Sequence, residues 1–276
     1  MNRPSSRIAL FCGLTLASVA VANVIGEDSR QAPGPEQADF LSAVGHIVCI
    51  RVVDNRRRIG IGTGTVVGSR STILTSAHVL VDEAGRSGPR VEFDIENECA
   101  FRQYDGEGNV IVDVAFSHSR IGEFRRNSGA PNQDWAVLRT VEPLPESIKP
   151  LAFAAVSFAD LTDRNRLPIL ILAFHADLDS GRRIPMLSEG AMFGINYAGF
   201  DRFAHTADTG RMSSGAAIVH RTASGQHIVV GVNRSGANFG DFNLAVPLTP
   251  ELEEALRSFA YGQVPELRNR LADNRR

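Results

Sequence analysis

Short segments rich in β-branched residues, separated by glycine or charged residues, constrain the fold more than any other feature of this chain. Between residues 44 and 77 they read VGHIVCIRVV, IGTGTVVG and STILTSA. The later ones read RVEFDI, NVIVDVAF, DWAVLRTV, PILILAF, GAMFGINY, GAAIVH and HIVVGVN. Strand-length segments at this spacing are typical of antiparallel barrels and sandwiches, so we predict an all-β fold.

One helix is predicted, close to the end of the chain. Thr249 is a good N-cap, and the proline that follows it suits the first helical position. Leu252, Leu256 and Phe259 then form one apolar stripe at helical spacing. Gly262 can end the helix.

A polar stretch with three prolines, TVEPLPESIKP at 140–150, divides the β-rich region. It predicts two packed β units of similar length, residues 40–145 and 146–262. We interpret residues 23–39 as a linker or short pro-segment and residues 263–276 as a charged tail.

The first 22 residues have the pattern of a cleaved export signal. Arg3 and Arg7 precede an uncharged apolar run, and the small-x-small sequence AVA ends at Ala22. Cleavage there would move the formal net charge from −2 to −4, because two arginines and no acids are removed. We therefore predict a secreted or periplasmic protein without stable membrane association. An uncleaved membrane anchor is the alternative.

Net charge, cysteine content and the absence of metal-binding motifs limit which ligands and covalent links the chain can have. A negative net charge does not favour nucleic-acid binding. After signal cleavage Cys49 and Cys99 remain, either as a disulfide or as two buried thiols. No metal-binding motif is present, so we expect neither a metal nor another cofactor.

Two residues are candidates for acid–base chemistry. His78, in TILTSAHVLVD, follows an apolar strand and two small residues that leave room for an exposed imidazole. Asp134, in NQDWAVLRT, directly precedes an apolar strand, whereas its competitor Asp113 interrupts one. Asp134 is therefore the preferred carboxylate.

Adjacent serines in ADTGRMSSGAAIV are the candidate nucleophiles. Ser214 is preferred over Ser213 because Gly215 follows it, and glycine lets a substrate approach the backbone. Amide hydrolysis by serine requires a histidine to take its proton and a carboxylate to orient that histidine.

The blocks TSAHV, DWAVL and DTGRMSSGAA, in this order, resemble the signature blocks of chymotrypsin-fold (trypsin-like) serine peptidases, especially the bacterial branch that includes glutamyl endopeptidases. The resemblance covers residues 40–259. It implies two packed six-stranded antiparallel β-barrels with a C-terminal α-helix. It also implies a triad of His78 as general base, Asp134 as orienting acid and Ser214 as nucleophile.

The resemblance also implies an oxyanion hole formed by the backbone N–H groups of Met212 and Ser214. The family normally has glycine at the Met212 position, so a positive φ there would cost about 1–3 kcal/mol. Ser213 replaces the aspartate that pairs with a newly cut N-terminus in trypsin-like zymogens. Activation by that salt bridge is therefore not expected.

Candidate substrate-binding residues follow from the same resemblance. Asp208 occupies the position of the acid that selects arginine or lysine, although a turn aspartate is the simpler interpretation. Asn233 replaces the histidine of glutamyl-specific relatives, which argues against a strict glutamate preference. A strand that could pair with an extended substrate contains Val232, Asn233, Arg234, Ser235 and Gly236.

The sequence thus predicts an exported, monomeric serine endopeptidase that acts on polypeptides through an acyl-enzyme. The alternative is a weakly active or inactive pseudo-peptidase that binds peptides in its cleft. An esterase of α/β fold would require a GxSxG turn and alternating helices, and the sequence contains neither.

Overall fold

The computed structural model of the protein describes residues 23–53, 55–82, 91–122, 131–157, 161, 165–179, 182–197, 200–236 and 241–262. The predicted signal peptide and charged tail lie outside the described residues. Within those ranges no helix is long and apolar enough to cross a membrane.

The first β unit is a closed barrel in which six strands follow one another in the order β1-β2-β3-β8-β7-β6. All its described strand pairs are antiparallel, and a short hairpin, β4–β5, lies beside it. The strands are β1 Val44–Val53, β2 Arg56–Val66, β3 Thr72–Thr75, β4 Val81–Asp82, β5 Val91–Glu92, β6 Cys99–Tyr104, β7 Val110–Ile121 and β8 Ala136–Thr140.

The second β unit is a seven-stranded sheet in the order β13-β10-β11-β12-β15-β14-β9. Because β13 also pairs with β14, six of these strands form a closed antiparallel ring. The seventh, β9, is added to β14 in parallel. The strands are β9 Ala152–Phe153, β10 Leu167–Ala173, β11 Met186–Tyr197, β12 Phe200–His205, β13 Ala217–Arg221, β14 His227–Gly236 and β15 Asn243–Pro247.

The predicted two-barrel fold is therefore confirmed, with β9 as an addition. Two hydrophobic clusters account for it. The larger fills the first barrel and continues to the C-terminal helix, where Leu252 and Leu256 are buried. The smaller lies in the second barrel and includes Ile169, Phe203 and Ile218. Burial of both clusters is the main favourable contribution to folding.

The C-terminal helix is present as predicted. It spans Pro250–Tyr261 (α3), and the Thr249 side chain accepts a hydrogen bond from Leu252 N at the N-cap. Gly262 ends the helix in the left-handed conformation, at φ 66°. The structure adds two short helices, Ala38–Ser42 (α1) and Ile95–Glu98 (α2).

Cys49 and Cys99 form a disulfide within the first barrel, so the interpretation as separate thiols is wrong. The two residues face each other in the antiparallel register between β1 and β6. The bond joins strands that are 50 residues apart in sequence.

Residues 23–31, which we call the N-terminal arm, lie against the second barrel. Asn23 N donates to Asn243 Oδ1 at 2.9 Å, and Asn243 Nδ2 donates back to Asn23 O at 3.0 Å. Thr209 N donates to Asn23 O at 3.1 Å. Gln31 and Leu187 exchange two backbone hydrogen bonds of 2.9 and 2.7 Å. This half of the predicted linker is thus held to the barrel by backbone and side-chain contacts.

Candidate active site

The first barrel positions two of the three residues that the sequence singled out, His78 and Asp134. His78 lies in a short 3-10 turn, Ala77–Leu80, just after β3. Asp134 lies just before β8, and β3 and β8 are paired, with Thr75 opposite Ala136. This pairing places the histidine and the aspartate side by side.

The imidazole of His78 is held by a buried carboxylate. His78 Nδ1 lies 2.9 Å from Asp134 Oδ2, and His78 N donates to Asp134 Oδ1 at 3.0 Å. The side chain of Asp134 is 1% exposed, whereas that of His78 is 26% exposed. A proton on Nδ1 would therefore be donated to Asp134, which leaves Nε2 as the acceptor on the more exposed side of the ring.

Arg234 makes an additional contact with this carboxylate. Its Nε donates to Asp134 Oδ2 at 3.1 Å, so one oxygen accepts from both Arg234 and His78. Burial alone would raise the pKa of Asp134, but the charges of His78 and Arg234 hold it below its ordinary value. Asp134 is thus kept ionised although it is buried.

The competing carboxylate, Asp113, lies elsewhere. It is on β7, with a side chain that is 44% exposed, and it forms an ion pair with Arg102 at 2.7 Å. Asp113 therefore belongs to the outer surface of the first barrel and does not take part in the site.

Ser214 comes from the second barrel, in the turn that precedes β13. Ser214 O accepts a hydrogen bond from Thr63 N of β2 at 2.8 Å, which fixes the turn against the first barrel. Gly215 has φ 89°, and a Cβ there would collide with Thr75 and Thr63. Only glycine fits at this position, because of packing against the first barrel that the sequence analysis did not anticipate. Ser214 Oγ donates to Arg234 O at 3.1 Å.

Ser213 points away from the cleft. It is fully buried, and its Oγ donates to Gly210 O at 2.7 Å. Asn233 Nδ2 donates to both Ser213 O and Ser213 Oγ, at 2.9 and 3.0 Å, while Asn233 Oδ1 lies 3.1 Å from His205 Nε2. Burial lowers the pKa of His205 to about 4, so its ring is neutral. Asn233 is therefore used at both ends of its amide to hold the turn.

Met212 has φ 79°, one of two positive φ values at described residues other than glycine. The peptide that precedes it is anchored, because Arg211 O accepts from Ala176 N at 2.8 Å. In a trans peptide the carbonyl and the next N–H point in opposite directions, so Met212 N–H points away from Ala176. Within the described residues neither Met212 N nor Ser214 N donates a hydrogen bond. These two N–H groups are available to a bound oxyanion.

Asp208 does not face the cleft. It is 1% exposed, and its carboxylate binds the N-terminal arm. Asp208 Oδ1 accepts from Ile25 N at 2.6 Å, and Oδ2 accepts from Ser29 N and Ser29 Oγ at 2.7 and 2.6 Å. These contacts correct the interpretation of Asp208 as an acid that selects a basic substrate residue.

The predicted substrate-binding strand has one edge next to the turn that carries Ser214, the predicted nucleophile. We call this turn the nucleophile turn. β14 pairs with β15 along one edge as far as Gly236, whereas its pairing with β13 ends at Val232. Beyond Val232, Gly215 N donates to Asn233 O at 2.9 Å, and no described strand covers the edge from Arg234 to Gly236. The side chain of Arg234 is directed at Asp134, so the strand offers its backbone here.

No group of three or more histidine, cysteine, aspartate or glutamate side chains in the described part of the chain could hold a metal ion. Sequence reasoning missed the ion pair between Arg234 and Asp134, which links residues 100 apart in sequence. It also missed the docking of the arm on Asp208. The first contact depends on how the two barrels pack and the second on the folding of the second barrel, and local sequence carries no signal for either.

Comparisons with known proteins agree with this geometry. The family profile described as "Trypsin-like peptidase domain" matches residues 62–232. A search of curated protein sequences finds no match.

Three similar solved structures share the fold. A Glu endopeptidase in complex with MPD has a TM-score of 0.60 at 20% identity, covering 87% of this chain and 100% of its own. The protease Anisep from Arthrobacter nicotinovorans has a TM-score of 0.52 at 14% identity, covering 84% and 99%. A thermostable serine protease from an extremophilic microorganism has a TM-score of 0.52 at 15% identity, covering 81% and 98%.

Proposed function

Because this chain belongs to the trypsin-like peptidase family, we propose that it is an exported serine endopeptidase that cleaves polypeptides through an acyl-enzyme. The observation that carries the proposal is the contact between His78 and the buried carboxylate of Asp134. A buried aspartate that fixes the tautomer of a half-exposed histidine is the arrangement that a general base requires.

In the proposed reaction, Ser214 Oγ leaves the carbonyl of Arg234 by rotation about its Cα–Cβ bond and donates its proton to His78 Nε2. The oxygen bonds to the carbonyl carbon of the substrate, giving a tetrahedral oxyanion. His78 then returns the proton to the departing amine as the C–N bond breaks. A water molecule gives a proton to His78 and attacks the carbonyl carbon of the ester that remains on Ser214. His78 then returns that proton to Ser214 Oγ as the C–O bond breaks and the acid is released.

The N–H groups of Met212 and Ser214 stabilise the oxyanion in this scheme. Both donate within a rigid turn, since Thr63 N holds Ser214 O and Thr63 Oγ1 donates to Met212 O at 2.8 Å. Donors that are fixed before the reaction cost no reorganisation when the charge develops.

Three proposed features concern substrate specificity: the amide of Asn233, the carboxylate of Asp208 and the backbone of β14. The amide of Asn233 is engaged by Ser213 and His205, so it does not offer a donor to a glutamate carboxylate before the cleaved bond. Asp208 is engaged by the arm and does not select arginine or lysine. The backbone from Val232 to Gly236 then binds the acyl side of the substrate as an added strand.

Substitutions of the proposed triad test this function. Ser214→Ala is expected to abolish peptide cleavage, and Asp134→Asn to lower kcat/KM by about 10⁴-fold because the tautomer of His78 is no longer fixed. Asp113→Asn is the matched control: it removes an exposed carboxylate of the same unit and should leave kcat/KM unchanged. Cleavage of a peptide library, followed by mass spectrometry, gives both the rates and the residues next to the cleaved bond.

Full activity of a folded Ser214→Ala variant would refute the proposal. The bond from Ser214 Oγ to Arg234 O is the observation that favours the alternative, a peptide-binding pseudo-peptidase. That alternative predicts that the unaltered, folded protein binds library peptides without cleaving any of them.

A further inference from the structure

A cavity of about 540 Å³ lies beside the nucleophile turn. Its lining includes Met212, whose N–H belongs to the proposed oxyanion hole, and Ile61 of β2. Three arginines, Arg182, Arg183 and Arg211, also line it, and all three are exposed. The cavity is therefore open to solvent, adjacent to the site and rich in cationic groups.

The positive charge of this cavity is not balanced by its own carboxylate. Within the described part of the chain, Arg182, Arg183 and Arg211 form no ion pair. Asp177 lines the same cavity, but Arg30 binds both of its oxygens, at 3.1 and 2.7 Å. Arg30 also pairs with Asp28, so these three residues leave one negative charge against the three arginines.

Of the remaining titratable groups nearby, His46 is neutral and Asp105 carries one negative charge, which is fewer than the charges of the three arginines. His46, which is 1% exposed, lines the cavity, and neither ring nitrogen has a hydrogen-bond partner among the described residues. Burial lowers the pKa of His46 to about 4, so the ring is neutral. Asp105 lines an adjoining cavity that shares Arg183, and hydrogen bonds from Asn109 N and Nδ2, at 2.8 and 2.9 Å, lower the pKa of its carboxylate and keep it ionised.

The position of the cavity relates it to one side of the cleaved bond. The nucleophile turn lies between two strands, the Arg234–Gly236 edge of β14 and β2, whose Thr63 binds Ser214 O. β2 pairs with β3 only at Thr65 and Val66, so no described strand covers its edge at Ile61. If the acyl side of a substrate pairs with β14, the leaving side must pass over Met212 and Ile61 into the cavity.

We propose that this arginine-lined cavity is a subsite for an acidic side chain, aspartate or glutamate, at the first or second position after the cleaved bond. The proposal rests on the proposed function, since a leaving side exists only if a bond is cleaved. Guanidinium groups bind carboxylates in a bidentate fashion, which gives them geometric as well as electrostatic selectivity. The subsite adds selectivity for a residue after the cleaved bond, whereas β14 binds the residues before it.

Matched quenched-fluorescent peptides test the subsite. They share one acyl side, taken from an observed cleavage site, and differ only in glutamate or glutamine at the first or the second position after the bond. We expect kcat/KM to favour glutamate about fivefold at one of these positions, as several partly exposed charges together allow. The ratio should fall towards one in 1 M NaCl, because salt screens exposed charges.

Two variants assign the effect to the cavity. Arg183→Gln/Arg211→Gln is expected to abolish the preference for glutamate, whereas Arg221→Gln, at the exposed end of β13, is the matched control and should retain it. An acyl-side anilide, which has no residue after the bond, should be cleaved equally by all three proteins. Its cleavage reports the catalytic machinery independently of the subsite.

Failure of the two proposals is distinguishable. Cleavage of the anilide together with equal rates on glutamate and glutamine peptides at both positions would overturn the subsite and leave the proposed function intact. Retention of the preference in the double variant would also overturn it. No cleavage of any substrate by the folded protein would overturn the proposed function, and the subsite with it.

Discussion

Met212 shows how one residue decides the competence of the site. A positive φ at a residue other than glycine costs about 1–3 kcal/mol and persists only where its surroundings fix it. Here the bonds of Arg211 O to Ala176 N and of Met212 O to Thr63 Oγ1 hold the turn. The sequence alone identified the unusual residue, but the orientation of its peptide depends on residues of both barrels.

Met212→Gly tests this orientation. Glycine adopts φ 79° without strain, and the Met212 N–H makes no hydrogen bond within the described residues and is free to donate to an oxyanion, so we expect kcat/KM to stay within an order of magnitude of the wild-type value. Steady-state kinetics on a cleaved peptide measure it. A gain of roughly 10²–10³-fold would contradict the account, because that is the effect of restoring a missing oxyanion donor.

Arg234 places a positive charge beside the carboxylate that contacts His78. Its cation lies at the oxygen of Asp134 that also contacts His78, so it opposes the protonated form of the imidazole. Because His78 must be neutral to act as a base, Arg234 is expected to extend activity towards lower pH.

Arg234→Gln should therefore move the acid limb of the kcat/KM profile to higher pH, since a cation beside Asp134 and His78 has been removed. Arg234→Lys, which retains the charge, is the control and should lie closer to the wild-type profile. A lower rate with an unshifted acid limb would assign Arg234 a purely structural role.

Among the secondary-structure elements, those whose defining residues lie close together in the sequence were predictable. α3 has its cap, its apolar stripe and its terminating glycine within 14 residues, Thr249 to Gly262, and all were recognised in sequence. The N-terminal arm has no such signal. Its binding partners, Asp208, Leu187 and Asn243, lie more than 150 residues away and are assembled only by the second barrel.

Asp208→Ala is expected to release the arm. It removes three hydrogen bonds to a buried carboxylate, and we expect the free energy of unfolding to fall by roughly 3 kcal/mol. Urea denaturation measures this loss, and trypsin should cleave after Arg30 faster than in the wild type. Glu27→Ala, an exposed change in the same arm, is the control and should stay within about 0.5 kcal/mol. A stable Asp208→Ala variant with a protected arm would contradict the interpretation.

At the scale of the whole molecule, the spacing of the strands predicted an all-β barrel or sandwich, and the polar stretch at 140–150 predicted two β units. Only the resemblance to the peptidase family implied that both units are six-stranded barrels. The sequence could not decide whether Cys49 and Cys99 are joined, because pairing depends on the register between β1 and β6. Nor could it identify β9, which has two residues and is held by parallel pairing to β14. The resemblance implied that Asp134 orients His78, but the contact of Arg234 with the same carboxylate joins the two barrels and has no local signal in the sequence.

The disulfide should contribute substantially to the stability of the molecule. Closing a loop with a sequence separation of 50 restricts the unfolded chain, and the double variant Cys49→Ala/Cys99→Ala is expected to lose about 4 kcal/mol. Urea denaturation of the oxidised, reduced and double-variant proteins measures the effect. If all three unfold at the same urea concentration, the bond does not stabilise the fold.

The central claim is that Ser214 is a nucleophile activated by His78, and covalent labelling tests it most directly. The folded protein is treated with a fluorophosphonate, and the modified residue is located by peptide mass spectrometry. We predict a single adduct on Ser214 that forms roughly 10²-fold or more slowly in the His78→Ala variant, because the general base is lost. An unlabelled folded protein, an adduct elsewhere, or equal labelling of the His78→Ala variant would contradict the account.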